Sequence, residues 1–104
     1  MPEYTVDVTA EAEEDMNDIF LYISNVLQSP IAAGEHLLAF ETAINSLHEN
    51  PYRYPKSYDP FLAAKGYHRI LVKNYIIFYT IDDESKNALV MRVIYGSRNL
   101  PDLL

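Results

Sequence analysis

Cysteine is absent from the 104 residues, so disulfides, thiolate metal sites, iron–sulfur clusters and cysteine nucleophiles are excluded. Glycine is scarce: three scattered glycines leave no phosphate-cradling loop and no nucleophile elbow. No apolar run approaches the ~20 residues that cross a bilayer. The start, Met1-Pro2-Glu3-Tyr4, lacks the basic and apolar regions of a signal peptide. The expectation is a cytoplasmic protein with no membrane association. Histidine and glutamate are adjacent at His48-Glu49, but a zinc-protease helix needs a second histidine three positions after the glutamate, where Tyr52 stands. Metal catalysis is therefore not expected.

Positive charge is missing from the first half. No Lys or Arg precedes Arg53, whereas ten acidic residues do; from Arg53 onward eight basic residues face five acidic ones. The net charge of −7 opposes general attraction to nucleic acid or anionic lipid. Any contact with a phosphate or an acidic partner belongs to the second half. The acidic cluster Glu11, Glu13, Glu14 and Asp15 needs no ligand to explain it, because a helix start favours negative charge.

What remains is the composition of an ordinary globular chain, 49% hydrophobic and 22% charged, of a length suited to one domain over residues 1–104. Tyr4, Val6 and Val8 alternate with Thr5 and Asp7, the period of a half-buried strand. Thr9 is placed as an N-cap, and Ala12, Met16, Ile19, Phe20, Ile23 and Leu27 share one helical face, which predicts a helix over about 10–27. Ser29-Pro30 starts a second helix. Ala33, Leu37, Phe40, Ile44 and Leu47 carry it until Asn50-Pro51 stops it, so the two helices form an antiparallel hairpin. Residues 51–66, with three prolines and three tyrosines, read as an ordered but irregular connection. Tyr67 to Val72, Tyr75 to Ile81 and Ala88 to Tyr95 then form a three-stranded antiparallel meander.

A two-residue turn at Lys73-Asn74 pairs Val72 with Tyr75, Ile70 with Ile77 and His68 with Tyr79. These residues with Ile81 make the face that packs on the helices. The opposite face holds Tyr67, Arg69, Leu71, Ile76, Phe78 and Thr80, with Val90, Arg92 and Ile94 from the last strand if its register follows suit. Two helices cover one side only, so Leu71, Ile76, Phe78 and Ile94 are expected to lie exposed beside Arg69 and Arg92, as a partner site, the alternative being that the proline- and tyrosine-rich connection or a second subunit covers them. Tyr4, Tyr75 and Tyr79 are expected in the core, and Tyr52, Tyr54 and Tyr58 as anchors of the irregular connection.

Tyr67-His-Arg-Ile-Leu-Val-Lys-Asn-Tyr75-Ile-Ile-Phe-Tyr79-Thr-Ile-Asp82, followed by Val90-Met-Arg-Val-Ile-Tyr-Gly-Ser-Arg-Asn99, resembles the C-terminal half of the RelE/ParE superfamily of toxins. Ser29-Pro30-Ile-Ala-Ala33 and Leu47-His-Glu-Asn-Pro51 are similar to the helix hairpin of the same family. The resemblance implies an α+β toxin fold and a growth inhibitor from a plasmid-stabilisation or chromosomal stress locus, neutralised by a cognate antitoxin and requiring no cofactor.

The family divides by target. RelE-like members cut mRNA on the ribosome without a metal; ParE-like members are associated with poisoning DNA gyrase by binding. RNA cleavage of that kind needs a base, cations for the phosphorane charge and an acid for the leaving oxygen. Under the nuclease reading Arg69, Arg92 and Arg98 supply the cations and Tyr67 shuttles a proton. Arg98, two residues after Gly96, matches the C-terminal basic position of that branch. The departures point the other way. Ile76 stands where RelE-like nucleases commonly carry arginine, and Leu103-Leu104 replace a terminal tyrosine or histidine. The preferred reading is a gyrase-type binding poison with Leu71, Ile76, Phe78, Ile94, Arg98, Leu103 and Leu104 at the antitoxin or target surface. The alternative is an mRNA endonuclease, and a third is a member that keeps antitoxin binding without toxicity. Candidate partners are the antitoxin, gyrase or the ribosome with its mRNA, and a second copy of the chain.

Overall fold

The computed structural model describes residues 3–96. Thr5–Val8 forms β1, and its extended run ends at Thr9, which has two roles. Its hydroxyl oxygen accepts from the Ala12 N–H at 3.1 Å, capping α1 (Ala10–Leu21), and its O–H donates to the Met91 carbonyl at 2.8 Å, tying that cap to the last strand. The first helix does not run unbroken to residue 27. After Leu21 the chain widens into a single π turn, Tyr22–Val26. The extra residue in that turn rotates the next side chains off the apolar stripe. Ile23 stays buried, whereas Leu27 is 56% exposed rather than on the inner face.

Ser29 caps α2 (Pro30–Asn45), with Pro30 at the first helical position, where its missing N–H costs nothing. Ala33, Phe40, Ile44 and Leu47 are buried as the spacing requires, and a 3-10 turn at Ser46–His48 closes the helix before Pro51. The irregular connection holds two more elements, a 3-10 turn at Pro51–Arg53 and a short helix. Asp59 caps a short α3 (Pro60–Ala64), its carboxylate accepting from the Phe61 and Leu62 N–H groups at 2.9 and 3.1 Å.

Strands β2 (His68–Val72), β3 (Tyr75–Asp82) and β4 (Asn87–Tyr95) make the expected meander, with Val72 opposite Tyr75, Ile70 opposite Ile77 and His68 opposite Tyr79. β1 joins it from the far side, parallel to β4, for a sheet order β1-β4-β3-β2. Asn87 fastens that edge by donating to the Thr5 hydroxyl and the Asp7 carboxylate, both at 2.9 Å.

A bulge interrupts the β3–β4 ladder. Phe78 faces Arg92, but Tyr79 faces Val90, leaving Met91 as the extra residue. Arg92 and Ile94 therefore keep the expected face. Val90 does not: it turns to the hairpin side and joins Phe40, Leu47, Ile77 and Tyr79 in the main core. Burying each large side chain there contributes roughly 1.5–3 kcal/mol. The fully buried Tyr79 phenol, whose pKa burial pushes up, donates to the Pro51 carbonyl and ties the start of the irregular connection to the sheet.

The opposite face is not left bare. Leu62 of α3 is fully buried against Phe78 and Ile94, with Tyr67 and Ile76 packed around them. The exposure expected of Phe78 and Ile94 is thus corrected, because the chain between the hairpin and the meander folds back over the sheet and makes a second, smaller core. Ile76 is half-buried and Leu71 remains exposed.

Candidate functional site

The sheet face away from the hairpin brings fewer cations together than its sequence suggests. Arg92 is held by Asp15 of α1: Nε donates to one carboxylate oxygen at 2.7 Å and Nη2 to the other at 3.0 Å. The first of these oxygens also accepts the Val93 N–H at 3.0 Å. Such a two-pronged pair is the strong geometry for guanidinium and carboxylate. Its hydrogen bond to Asp15 raises the Arg92 pKa above its ordinary value, so the charge is permanent but already balanced.

Arg69 is the contrasting case. Its guanidinium carbon lies 3.5 Å from the centre of the exposed Tyr58 ring, a cation–π stack, and its buried Nε has no hydrogen-bond partner among the described residues. Tyr67, the expected proton shuttle, packs against the small core, its N–H donating to the Leu62 carbonyl and its carbonyl accepting from the Ser57 N–H. Arg98, Leu103 and Leu104 lie outside the described residues. The three histidines each use Nδ1 to donate to a backbone carbonyl: His36 to Ala32, His48 to Tyr4 and His68 to Tyr54, at 2.8–2.9 Å. Among the described residues no group of three His, Cys, Asp or Glu is placed to hold a metal ion.

A concavity lies elsewhere. β1 has four residues against the nine of β4, so the sheet loses its outer strand at Val90 and α1 crosses in its place. A cleft of about 870 Å³ opens there, bounded by α1 and its π turn, the start of α2 and the far end of β4. Asp18, Tyr22 and Leu27 line it from the first helix and its π turn, Ser29, Ala32 and His36 from the start of α2, and Tyr75 and Tyr95 from the sheet. His36 meets both Phe40 and Tyr75 edge to face. No local sequence signal marks this place, because it depends on how far β1 accompanies β4 and on the π turn that leaves Tyr22 and Leu27 outside the core.

The three tyrosines of the connection act as anchors. The Tyr54 phenol lies 3.1 Å from the Ser46 hydroxyl, Tyr58 covers Arg69, and Tyr52 donates to Asp83, which also accepts from Tyr4 at 2.9 Å. The hydrogen bonds from Tyr52 and then Tyr4 hold the Asp83 carboxyl below the usual carboxylate range, and Asp83 in turn pushes the Tyr52 phenol up to about 12. This clasp joins the connection to the β3–β4 turn and lies away from the cleft.

No helix among the described residues is long and apolar enough to cross a membrane. Comparison with solved structures finds the fold repeated. A chain of the chromosomal ParDE toxin–antitoxin system from P. aeruginosa superposes with a TM-score of 0.72 at 14% identity, over 91% of this chain and 98% of that one. A chain of the RelBE2 toxin–antitoxin complex from Mycobacterium tuberculosis gives 0.64 at 26% identity, over 89% and 98%. The archaeal RelE–RelB complex from Pyrococcus horikoshii gives 0.60 at 14% identity, over 94% and 99%. No curated protein sequence matches. The sequence family of the ParE toxin of type II toxin–antitoxin system, parDE, matches residues 6–100, nearly the whole chain. With the strand, hairpin and meander in the expected order, the chain belongs to the ParE toxin family of type II toxin–antitoxin systems.

Proposed function

We propose that this toxin inhibits growth by binding an essential protein target in the cytoplasm, of the gyrase type, and that a cognate antitoxin neutralises it. The observation that carries this reading is the state of the cations. Metal-independent RNA cleavage needs uncommitted positive charge at the developing phosphorane. Arg92 is already neutralised by Asp15, position 76 is isoleucine, and Phe78 and Ile94 are sealed under α3. Only Arg69 of the described candidates has no ion pair, and it is stacked on Tyr58.

The antitoxin surface is the cleft beside β4. Past the bulge the Val93 N–H points outward to Asp15, so by alternation the Val93 carbonyl and both polar groups of the Tyr95 backbone point outward too. An extended segment has hydrogen-bonding groups to meet there, aromatic side chains to pack on and Asp18 to pair with a basic residue.

Induced expression without antitoxin tests the target. Growth is followed while transcript 5′ ends are mapped and DNA is examined for gyrase-dependent breaks. DNA breakage with intact transcripts is the expected result, retained in Arg69→Ala. Rapid codon-linked transcript cuts that vanish in Arg69→Ala would overturn the binding reading in favour of an mRNA endonuclease, and normal growth would mean that toxicity has been lost.

A further inference from the structure

The sheet has a second edge, and it is built differently from the cleft beside β4. β2 lies at the end of the strand order. Its first half is covered: the Arg69 N–H donates to the Pro55 carbonyl at 3.0 Å, and the Tyr67 carbonyl accepts from the Ser57 N–H at 2.9 Å. Odd-numbered residues of β2 therefore point their polar groups outward, and alternation along an antiparallel strand turns those of the even-numbered ones toward β3. The cover stops there. The N–H and C=O of Leu71 continue the outward row with no partner among the described residues, on an edge flanked by exposed apolar side chains. Leu71 is 66% exposed, and Leu38 on the neighbouring α2 is 65% exposed. An unprotected edge of this kind is a template for strand pairing.

Between α2 and this edge runs a groove with opposite charges at its two ends. Glu35 and Leu38 line one end, Arg53 and Tyr54 the other, with Leu71 on the strand side. The direction is fixed by contacts. Near its start α2 places His36 against Tyr75, just beyond the end of β2. Just after its end Ser46 meets Tyr54, whose carbonyl accepts from His68 at the start of β2. Helix and strand thus run antiparallel, and Glu35 lies about 16 Å of helix rise from Ser46. Neither Glu35 nor Arg53 has an ion pair among the described residues.

A two-fold axis through Leu71 makes these features complementary. It pairs Leu71 with Leu71 of the partner subunit, sets the two α2 helices antiparallel on one side, and brings each Glu35 to Arg53 of the partner subunit. Such an isologous contact satisfies both edges at once and closes the assembly. We propose that two copies of this chain associate edge to edge along β2, making one continuous sheet from two four-stranded ones, with reciprocal Glu35–Arg53 pairs fixing the register. The segment Pro55–Ser57 limits the ladder to the neighbourhood of Leu71, so the dimer is concentration-dependent. It uses the edge opposite the β4 cleft and is independent of which target the toxin binds.

The test is sedimentation equilibrium of the purified full chain over a concentration series, with circular dichroism of each variant as the check on folding. The expected result is a particle of twice the 12.0 kDa chain mass at high concentration. Glu35→Arg and Arg53→Glu should each raise the dissociation constant at least about tenfold, since each puts like charges together twice. The double charge swap should restore it to within about threefold, and Leu71→Glu should leave only monomer. A monomer at every concentration overturns the proposal, as expected if the groove instead receives an antitoxin segment; that case would also show Glu35→Arg weakening antitoxin capture. A dimer indifferent to both charge changes overturns it too, because the interface would then lie on another face.

Discussion

Asp15 is the residue whose removal tests the description of the site most directly. Asp15→Ala deletes three hydrogen bonds, two from Arg92 and one from the Val93 N–H, at the place where β1 has ended and α1 takes over the edge of β4. Exposed ion pairs contribute only about 0.2–1 kcal/mol. This pair is more enclosed, with side-chain exposures of 26% for Arg92 and 16% for Asp15, and losing one partner of a charged hydrogen bond typically costs about 1.5–3 kcal/mol. Water reaching the partly exposed guanidinium offsets part of the loss. A destabilisation of about 2 kcal/mol is expected, against a total of roughly 5–15 kcal/mol for a domain of this kind. Thermal unfolding should shift down by roughly 10 °C. Urea unfolding of Asp15→Ala, Arg92→Met and the double variant measures the pair alone, with an expected coupling of at least about 1 kcal/mol. A single-variant loss under about 0.5 kcal/mol with no coupling would refute the reasoning. Asp15 would then not be what holds the Arg92 charge, and the argument against nuclease chemistry would lose its main support.

Asp83 provides the pH dependence. Its folded-state pKa is depressed, so its stabilising contribution is present above the unfolded carboxylate value near 4 and is lost as pH falls through the lowered folded value. Urea midpoints measured from pH 5 to 2 should therefore fall more steeply in the native chain than in Asp83→Asn. Tyr52 has the opposite sense: its phenol is raised to about 12, so its contribution holds below about pH 10 and fades as pH approaches 12. Absorbance titration near 295 nm should show one phenol ionising earlier in Asp83→Asn. Leu62→Ala empties a fully buried position under Phe78 and Ile94 and is expected to cost about 2–5 kcal/mol in urea unfolding. An unchanged midpoint would mean that α3 does not seal that face.

Much of this architecture was legible because local rules agree with the final packing. Thr9 and Ser29-Pro30 mark helix starts through side-chain oxygens that reach free N–H groups a turn away. The Lys73-Asn74 turn sets every pairing between β2 and β3, since a two-residue loop leaves one register. Asp59-Pro60 carries the same start signal as Ser29-Pro30, and α3 was readable from it, but the surrounding prolines and tyrosines favour an irregular reading.

Sequence alone therefore determined the order of the first strand, the helix pair and the meander, the helix faces up to Ile23, the β2–β3 register, the acidic first half and the family, because each rests on neighbours along the chain or on pattern. Tertiary structure alone decided the rest. Met91 bulges, so Val90 turns into the core; the π turn moves Leu27 out of it; α3 closes over Phe78 and Ile94. Asp15, 77 residues away, claims Arg92, and a short β1 leaves the end of β4 open as a cleft. These outcomes depend on which distant groups meet once the sheet has formed, and no spacing within a strand or helix encodes that meeting.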